Sequence, residues 1–429
     1  MNYQEALEYI HGLQQFGIKP GLARMEALLE HLGNPHLAYP CIHIAGTNGK
    51  GSVTAMVTSI LRAAGIKTGR YTSPALQKFN ERINFDGADI PDAALAALLT
   101  GVRPAVAAAA AIPGGEHPTE FEVVTAAAFE YFRAVEAEIA VLEAGLGGRL
   151  DSTNIIPTPL AAGITNVAFD HMNVLGDTIE AIAAEKAGII KKRGMVVTGA
   201  EDPAALAVIR CVCREKEAGL WVVGEDIRAA AGPGGRLSLA TPRRTHEDLT
   251  LSLAGAHQLR NAATAVGIID ALSRSGTDID AEAVAKGLAA VTWPGRLEIV
   301  QHNPTVVLDG AHNPDGARAL GRALRNAFRY ERLILVLGIL RDKAYPEMLA
   351  ILAPLADTLI LTKPDSPRAA EPEELQVIAA RFQSDIRLQA TVGQAVDAAL
   401  RIARPTDLVC IAGSLYTVGA SRDRWRKPL

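Results

Sequence analysis

Aromatic residues are scarce in this chain, at 5% of 429 positions, although about half of all residues (49%) are hydrophobic. A core with so few rings is packed from Ala, Val, Leu and Ile, which suits an α/β protein. No excess of one charge is present either: 43 basic against 47 acidic residues leave a net charge of −4. That balance excludes the basic footprint of a nucleic-acid binder, so an anionic substrate needs a local basic pocket. Four cysteines do not make a disulfide framework. Cys41 and Cys410 sit in apolar strand-like runs, and Cys211 and Cys213 have no second pair to complete a zinc site. The longest unbroken apolar run, Ala105 to Ile112, is mostly alanine and too short to span a bilayer. The opening MNYQEALEYI lacks the basic start and apolar stretch of a signal peptide. A cytoplasmic location is therefore expected. No internal repeat stands out, and without a coiled-coil heptad a monomer is expected.

What is present is organised around Cys41 to Gly65. A short apolar run, Cys41 to Ala45, leads into Gly46-Thr47-Asn48-Gly49-Lys50-Gly51-Ser52. Val53, Met56, Val57, Ile60 and Leu61 then recur at helical spacing until Gly65. Strand, glycine-rich loop and helix N-terminus in that order favour a bound anion, because backbone N–H groups and the helix dipole point at it. Lys50 adds a point charge, and Ser52 or Thr54 can face a magnesium ion. The pattern departs from the common phosphate loop: Ile44 stands at the first glycine position, and Gly51 separates Lys50 from Ser52. The bland reading is a glycine-rich turn; loop, lysine and context together favour phosphate.

Before the loop, Tyr3–Leu13 and Leu22–Leu32 read as two amphipathic helices joined by a turn carrying Lys19, Pro20, Gly21 and Leu22. After it, Thr68–Pro74 reads as a short strand ending at Thr72 and Ser73, followed by Phe79-Asn80-Glu81-Arg82-Ile83. Residues 91–112 look helical and are broken by Pro113-Gly114-Gly115. A further helix opens at Thr119-Glu120-Phe121-Glu122. There Thr119 and Glu122 have capping-box spacing, an alternative to substrate contact for Glu122. Glu138–Glu143 is a buried strand ending in a carboxylate, followed by Ala144 to Asp151. Ligands in open α/β sheets sit beyond the carboxyl ends of strands, so Glu143 is placed for metal or base work. Leu160–Asn166 is another strand, leading to Asp170 and His171. Lys186 lies in the apolar helical stretch Ile179–Ile190, where most lysines merely reach for solvent.

Strands are also expected at Met195–Thr198 and Trp221–Val223, and a β-meander over Arg228–Leu253. Trp293-Pro294-Gly295-Arg296 breaks the pattern. The expected domains are residues 1–297, a P-loop ATPase domain with a mostly parallel sheet, and 298–429, a smaller Rossmann-like doubly wound domain. The second part alternates strands (Thr305–Leu308, Leu333–Gly338, Thr358–Leu361, Leu408–Ala412) with helices and has no phosphate loop of its own. A nucleotide shared between the domains is the expectation.

GTNGKGS, TSP followed by FNERI, LEAGLGGRLDSTN, DHMNVLGDT, EKAGIIK, HQLRNAATA, PGRLE and DGAHNP occur in that order along the whole chain. This ordered set resembles the folylpolyglutamate synthases, including the bifunctional dihydrofolate synthase form, in the Mur ligase superfamily. The resemblance implies an ATP-dependent ligase that phosphorylates a substrate carboxylate and lets L-glutamate displace the phosphate. It implies ATP contacts at Gly46, Thr47, Asn48, Gly49, Lys50, Gly51, Ser52, Asn261, Arg296, Asp309 and His312. It implies magnesium at two sites, with Ser52, Ser73, Glu143, His171 and a carboxylated Lys186 as ligands. Lys50, Glu143, His171 and Lys186 form the implied catalytic set. The folate or dihydropteroate side is implied at Lys19, Pro20, Gly21, Leu22, Arg82, Thr119, Glu120, Phe121, Glu122, Arg149, Leu150, Asp151 and Ser152. Two competing readings are a UDP-muramyl peptide ligase, whose usual N-terminal domain has no room before Gly46, and a nucleotide-binding regulatory protein without ligase chemistry.

Overall fold

The computed structural model describes residues 1–17, 19–112 and 116–425; the Pro113-Gly114-Gly115 break expected above lies outside them. The chain divides into two compact units, one of residues 1–252 and 259–291, the other of residues 253–258 and 292–429.

The first unit holds strands β1 (Cys41–Ala45), β2 (Thr68–Tyr71), β3 (Ile83–Phe85), β4 (Ala88–Asp89), β5 (Ile139–Glu143), β6 (Ala161–Ile164), β7 (Met195–Thr198) and β8 (Gly219–Val222). They form one sheet in the order β4-β3-β2-β5-β1-β6-β7-β8. All neighbours from β2 to β8 run parallel; only the β2–β3 and β3–β4 pairs are antiparallel. The central strands are buried along their length, as strands covered on both faces must be, which is why they read as unbroken apolar runs. A separate antiparallel sheet, β9 (Arg228–Ala231), β10 (Leu237–Ala240) and β11 (Thr245–Leu249), forms the expected meander.

Four helices, Tyr3–Gly12, Ala23–His31, Asp92–Ala110 and Glu120–Ala134, pack with Tyr71, Ala140 and Leu142 of the sheet into one core. The helix Asp92–Ala110 is, by length and composition, apolar enough to cross a bilayer, although no uninterrupted run of the sequence is. Its Leu95, Leu99, Val102 and Val106 are buried in that same core, so the protein's own packing accounts for its apolarity. Ile179–Ala187 and Pro203–Glu215 pack on Ile164 and Val196.

The second unit is a mixed sheet in the order β12-β13-β17-β14-β15-β16. Its strands are β12 (Glu298–Gln301), β13 (Thr305–Leu308), β14 (Leu333–Leu337), β15 (Thr358–Thr362), β16 (Ile386–Gln389) and β17 (Leu408–Ala412). The doubly wound core is parallel, but β12 pairs antiparallel with β13. The sequence reading names only the four inner strands. Both edge strands are half-exposed and carry polar residues at two of their four positions, and so lack the continuous apolar signal.

Candidate active site

β1 runs directly into the loop Gly46–Gly49, and the helix Lys50–Ala63 begins at once behind it. Gly49 caps that helix with φ 86°, and a side chain there would place its Cβ 2.5 Å from Asn261 Oδ1. At Gly46 (φ 150°) a Cβ would fall 1.9 Å from Thr165 Oγ1. Both positions therefore demand glycine, and Asn261 is brought against the loop.

The loop is stitched to the chain leaving β6. Thr47 N–H donates to Asn166 O at 2.8 Å, Asn48 N–H to Asn166 Oδ1 at 2.6 Å, and Thr165 Oγ1 to Asn48 O at 2.6 Å. Thr47 Oγ1 donates to Ala168 O and accepts from Ala168 N–H, at 3.0 and 3.1 Å. Thr165, Asn166 and Ala168 were not singled out in the sequence; only their place at the end of a strand hints at the role.

Two ammonium groups meet the loop. Lys50 Nζ donates to Gly46 O at 3.1 Å and Thr47 O at 3.2 Å, and Lys186 Nζ donates to Gly46 O at 3.0 Å. Lys186 does not reach solvent: it is 3% exposed. Burial, and secondarily the Lys50 charge, push its ammonium down to about 7, with Asp170 opposing.

The carboxyl ends of β2, β5, β1 and β6 lie side by side, with Tyr71 beside Leu142, Ile44 beside Glu143 and Ala45 beside Ile164. One sheet edge therefore carries Ser73, Glu143, the phosphate loop and the segment leading to His171. Glu143 is 5% exposed, and half-buried Arg70 on the neighbouring strand feels its charge. Ser52 is buried in the first helical turn, whereas the His171 side chain is 37% exposed, on a residue with φ 51°. Among the described residues no group of three or more His, Cys, Asp or Glu gathers to hold a metal. A hydroxyl and a carboxylate beside a phosphate cradle nevertheless suit magnesium, which usually takes one or two protein ligands and fills its shell with phosphates and water.

Beside this edge the implied acceptor residues form a second group. Lys19 pairs with Glu116 at 3.1 Å, and Glu116 pairs with Arg24 at 2.8 Å. Arg24 Nε also meets Glu122 at 3.1 Å. Glu122 accepts from Thr119 N–H at 2.7 Å and Thr119 Oγ1 at 3.0 Å, completing the capping box. Its carboxylate is engaged by cap and arginine together. Arg82 pairs with Glu120 at 3.0 Å, and Phe121 packs against Gly145, where a Cβ would lie 2.6 Å from its ring. Arg149 is exposed and pairs with Glu185 at 2.7 Å; Leu150 is half-buried. Asp151 and Ser152 are buried. Neither Arg24 nor Glu116 carries a motif that a sequence reader could use.

Arg296, Asp309 and His312 belong to the second unit and form their own group there. Asp309 accepts from Leu297 N–H at 3.0 Å and Ala311 N–H at 2.9 Å, clasping the Gly310-Ala311-His312 turn. A Cβ on Gly310 would touch Arg296 Nη1, and His312 Nδ1 lies 2.8 Å from Gly310 O.

Comparison with known proteins agrees with this architecture. Residues 44–269 match the Mur ligase middle domain, and residues 295–415 the Mur ligase glutamate ligase domain. The fold and the phosphate-loop edge thus define a Mur-type ATP-dependent ligase. Within that class the chain belongs to the folylpolyglutamate synthase/dihydrofolate synthase family. It is 41% identical to the dihydrofolate synthase/folylpolyglutamate synthase of Bacillus subtilis, over 87% of this chain and 88% of that protein. It is 39% identical to the Mycobacterium tuberculosis protein of the same name, over 94% and 90%. Among solved structures, Mycobacterium tuberculosis folylpolyglutamate synthase complexed with ADP superposes with a TM-score of 0.92 at 36% identity, covering 99% of each chain. Escherichia coli FolC in complex with DHPP and ADP gives 0.90 at 32% identity, covering 99% of this chain and 97% of that one.

Proposed function

We propose that the chain adds L-glutamate to folates, by γ-linked extension of tetrahydrofolates, and to dihydropteroate, with ATP converted to ADP and phosphate. The observation that carries this reading is the convergence of Lys50 and Lys186 on the Gly46 carbonyl, at the sheet edge that also bears Glu143. Phosphoryl transfer asks for positioning and charge neutralisation rather than covalent help, and at this cradle Lys50 supplies the cation while Lys186 is placed to become a ligand beside it. ATP phosphorylates the acceptor carboxylate; the amino group of glutamate attacks the acyl phosphate, and phosphate leaves. Gly46 to Ser52 hold the phosphates, with Asn261 beside Gly49, and Arg296, Asp309 and His312 are the further ATP-binding residues of this reading.

Ser52, Ser73, Glu143, His171 and Lys186 are the residues that would hold two magnesium ions, which when bound neutralise phosphate charge. With its ammonium held near 7, Lys186 is partly unprotonated at neutral pH, so its amine can add carbon dioxide and become a carboxylate ligand. The acceptor lies along Lys19–Leu22, Arg82, Thr119–Glu122 and Arg149–Ser152 in this reading, and the enzyme works as a cytoplasmic monomer. The test of the chemistry is an acceptor labelled with oxygen-18 in its reacting carboxylate. An acyl phosphate passes one labelled oxygen to the released phosphate; unlabelled phosphate would contradict the mechanism.

A further inference from the structure

β1 is apolar except at His43, which is fully buried. His43 Nε2 lies 2.8 Å from Thr153 Oγ1, and Thr153 Oγ1 lies 2.5 Å from Asp151 Oδ1. Asp151 Oδ1 also accepts from Thr153 N–H at 3.0 Å, and its Oδ2 accepts from Gly145 N–H at 3.0 Å and Leu146 N–H at 2.9 Å. The proton count fixes the direction of this relay. Burial raises the Asp151 carboxyl, but its two oxygens accept three backbone N–H groups, which favour the ionised form; an ionised carboxylate only accepts, so the single hydroxyl proton of Thr153 points to Asp151, and His43 must donate from Nε2. His43 is then the neutral Nε2–H tautomer, and its buried Nδ1 has no partner. Burial, with Lys191 adding to it, pushes the His43 imidazole down to about 3, which agrees with a neutral ring.

A leucine or phenylalanine would fill this place in the sheet without leaving a buried nitrogen unsatisfied. What histidine alone adds is the hydrogen bond to Thr153. We propose that His43 is a positioning residue for the ligation: through Thr153 and Asp151 it fixes the Gly145–Leu146 turn that follows Glu143, and with it the segment Arg149–Ser152 assigned to the acceptor. This inference rests on the ligase reading above. It places acceptor alignment under the same strand that delivers the phosphate loop, three residues before Gly46.

The test compares His43→Leu, His43→Gln and wild type. In His43→Leu the KM for tetrahydrofolate rises on the order of tenfold to a hundredfold, the scale of one hydrogen bond to a charged network, while the KM for ATP stays within threefold. Gln keeps a terminal N–H donor and restores most of the acceptor KM. Amide exchange at Gly145 and Leu146 quickens in the Leu variant but not across Gly46–Ser52. A folded His43→Leu enzyme with unchanged acceptor KM, or with both KM values raised together, overturns the proposal. If His43→Leu does not fold, Thr153→Val, which removes only the hydroxyl at nearly constant volume, is read in the same way. Wild-type protein without glutamate ligation would refute the ligase reading itself; the exchange comparison then still decides whether His43 holds the turn.

Discussion

Lys50 and Lys186 share one acceptor, the carbonyl of Gly46, at 3.1 and 3.0 Å, so the two ammonium groups lie no farther than about 6 Å apart. Burial, and secondarily the repulsion between like charges this close, pushes the Lys186 ammonium down to about 7. A partly neutral Lys186 relieves that repulsion. The pair is thus arranged for two roles, with Lys50 aimed at the phosphate and Lys186 open to carboxylation.

Lys50→Ala removes the more exposed member of the pair. Turnover is expected to fall by about 10²–10³, the usual scale for one transition-state donor, in single-turnover measurements at saturating ATP. Near wild-type turnover would contradict the role assigned to Lys50.

Lys186→Ala is expected to be inactive and to regain part of its activity when a short carboxylate such as acetate or formate is supplied, because the lost group acts as a carboxylate. Full activity without the additive would remove carboxylation of Lys186 from the account.

Gly49→Ala puts a Cβ at φ 86°, 2.5 Å from Asn261 Oδ1. The strained backbone and the displaced asparagine should together cost about 1–3 kcal/mol in urea unfolding and raise the KM for ATP at least several-fold. A variant matching wild type in both would show that the loop tolerates a side chain there.

How much of this was legible in the sequence depended on burial and on distance along the chain. β1, β7, β14 and β17 are buried throughout and are recognisable as apolar runs, whereas β12 and β16 at the sheet edges are not. The Thr119–Glu122 capping box was legible because it spans three residues. Arg24 meets Glu122 across 98 residues and His43 meets Thr153 across 110, and no local pattern announces either. Lys186 was visible as a lysine in an apolar helix, but its burial against Gly46 comes from the packing of the sheet edge.

His43 also predicts a pH dependence of stability. Its folded-state value, about 3, lies below the ordinary 6.5. As pH falls through 6.5 the unfolded chain takes up a proton that the folded one refuses, so stability is lost between pH 6.5 and 3, by about 1.4 kcal/mol per unit. His43→Gln lacks this proton. Between pH 7.5 and 5.5 the wild type should lose about 1.4 kcal/mol more than His43→Gln in urea unfolding. Parallel losses would mean that the imidazole titrates normally.

The central claim is tested most directly by phosphate release from the purified protein with ATP, magnesium and L-glutamate, adding dihydropteroate, tetrahydrofolate or no acceptor in turn and weighing the products by mass spectrometry. The account predicts acceptor-dependent release and a product one glutamate heavier with both acceptors. Turnover with tetrahydrofolate alone would restrict the enzyme to chain extension, and release that ignores the acceptor would contradict the ligase assignment.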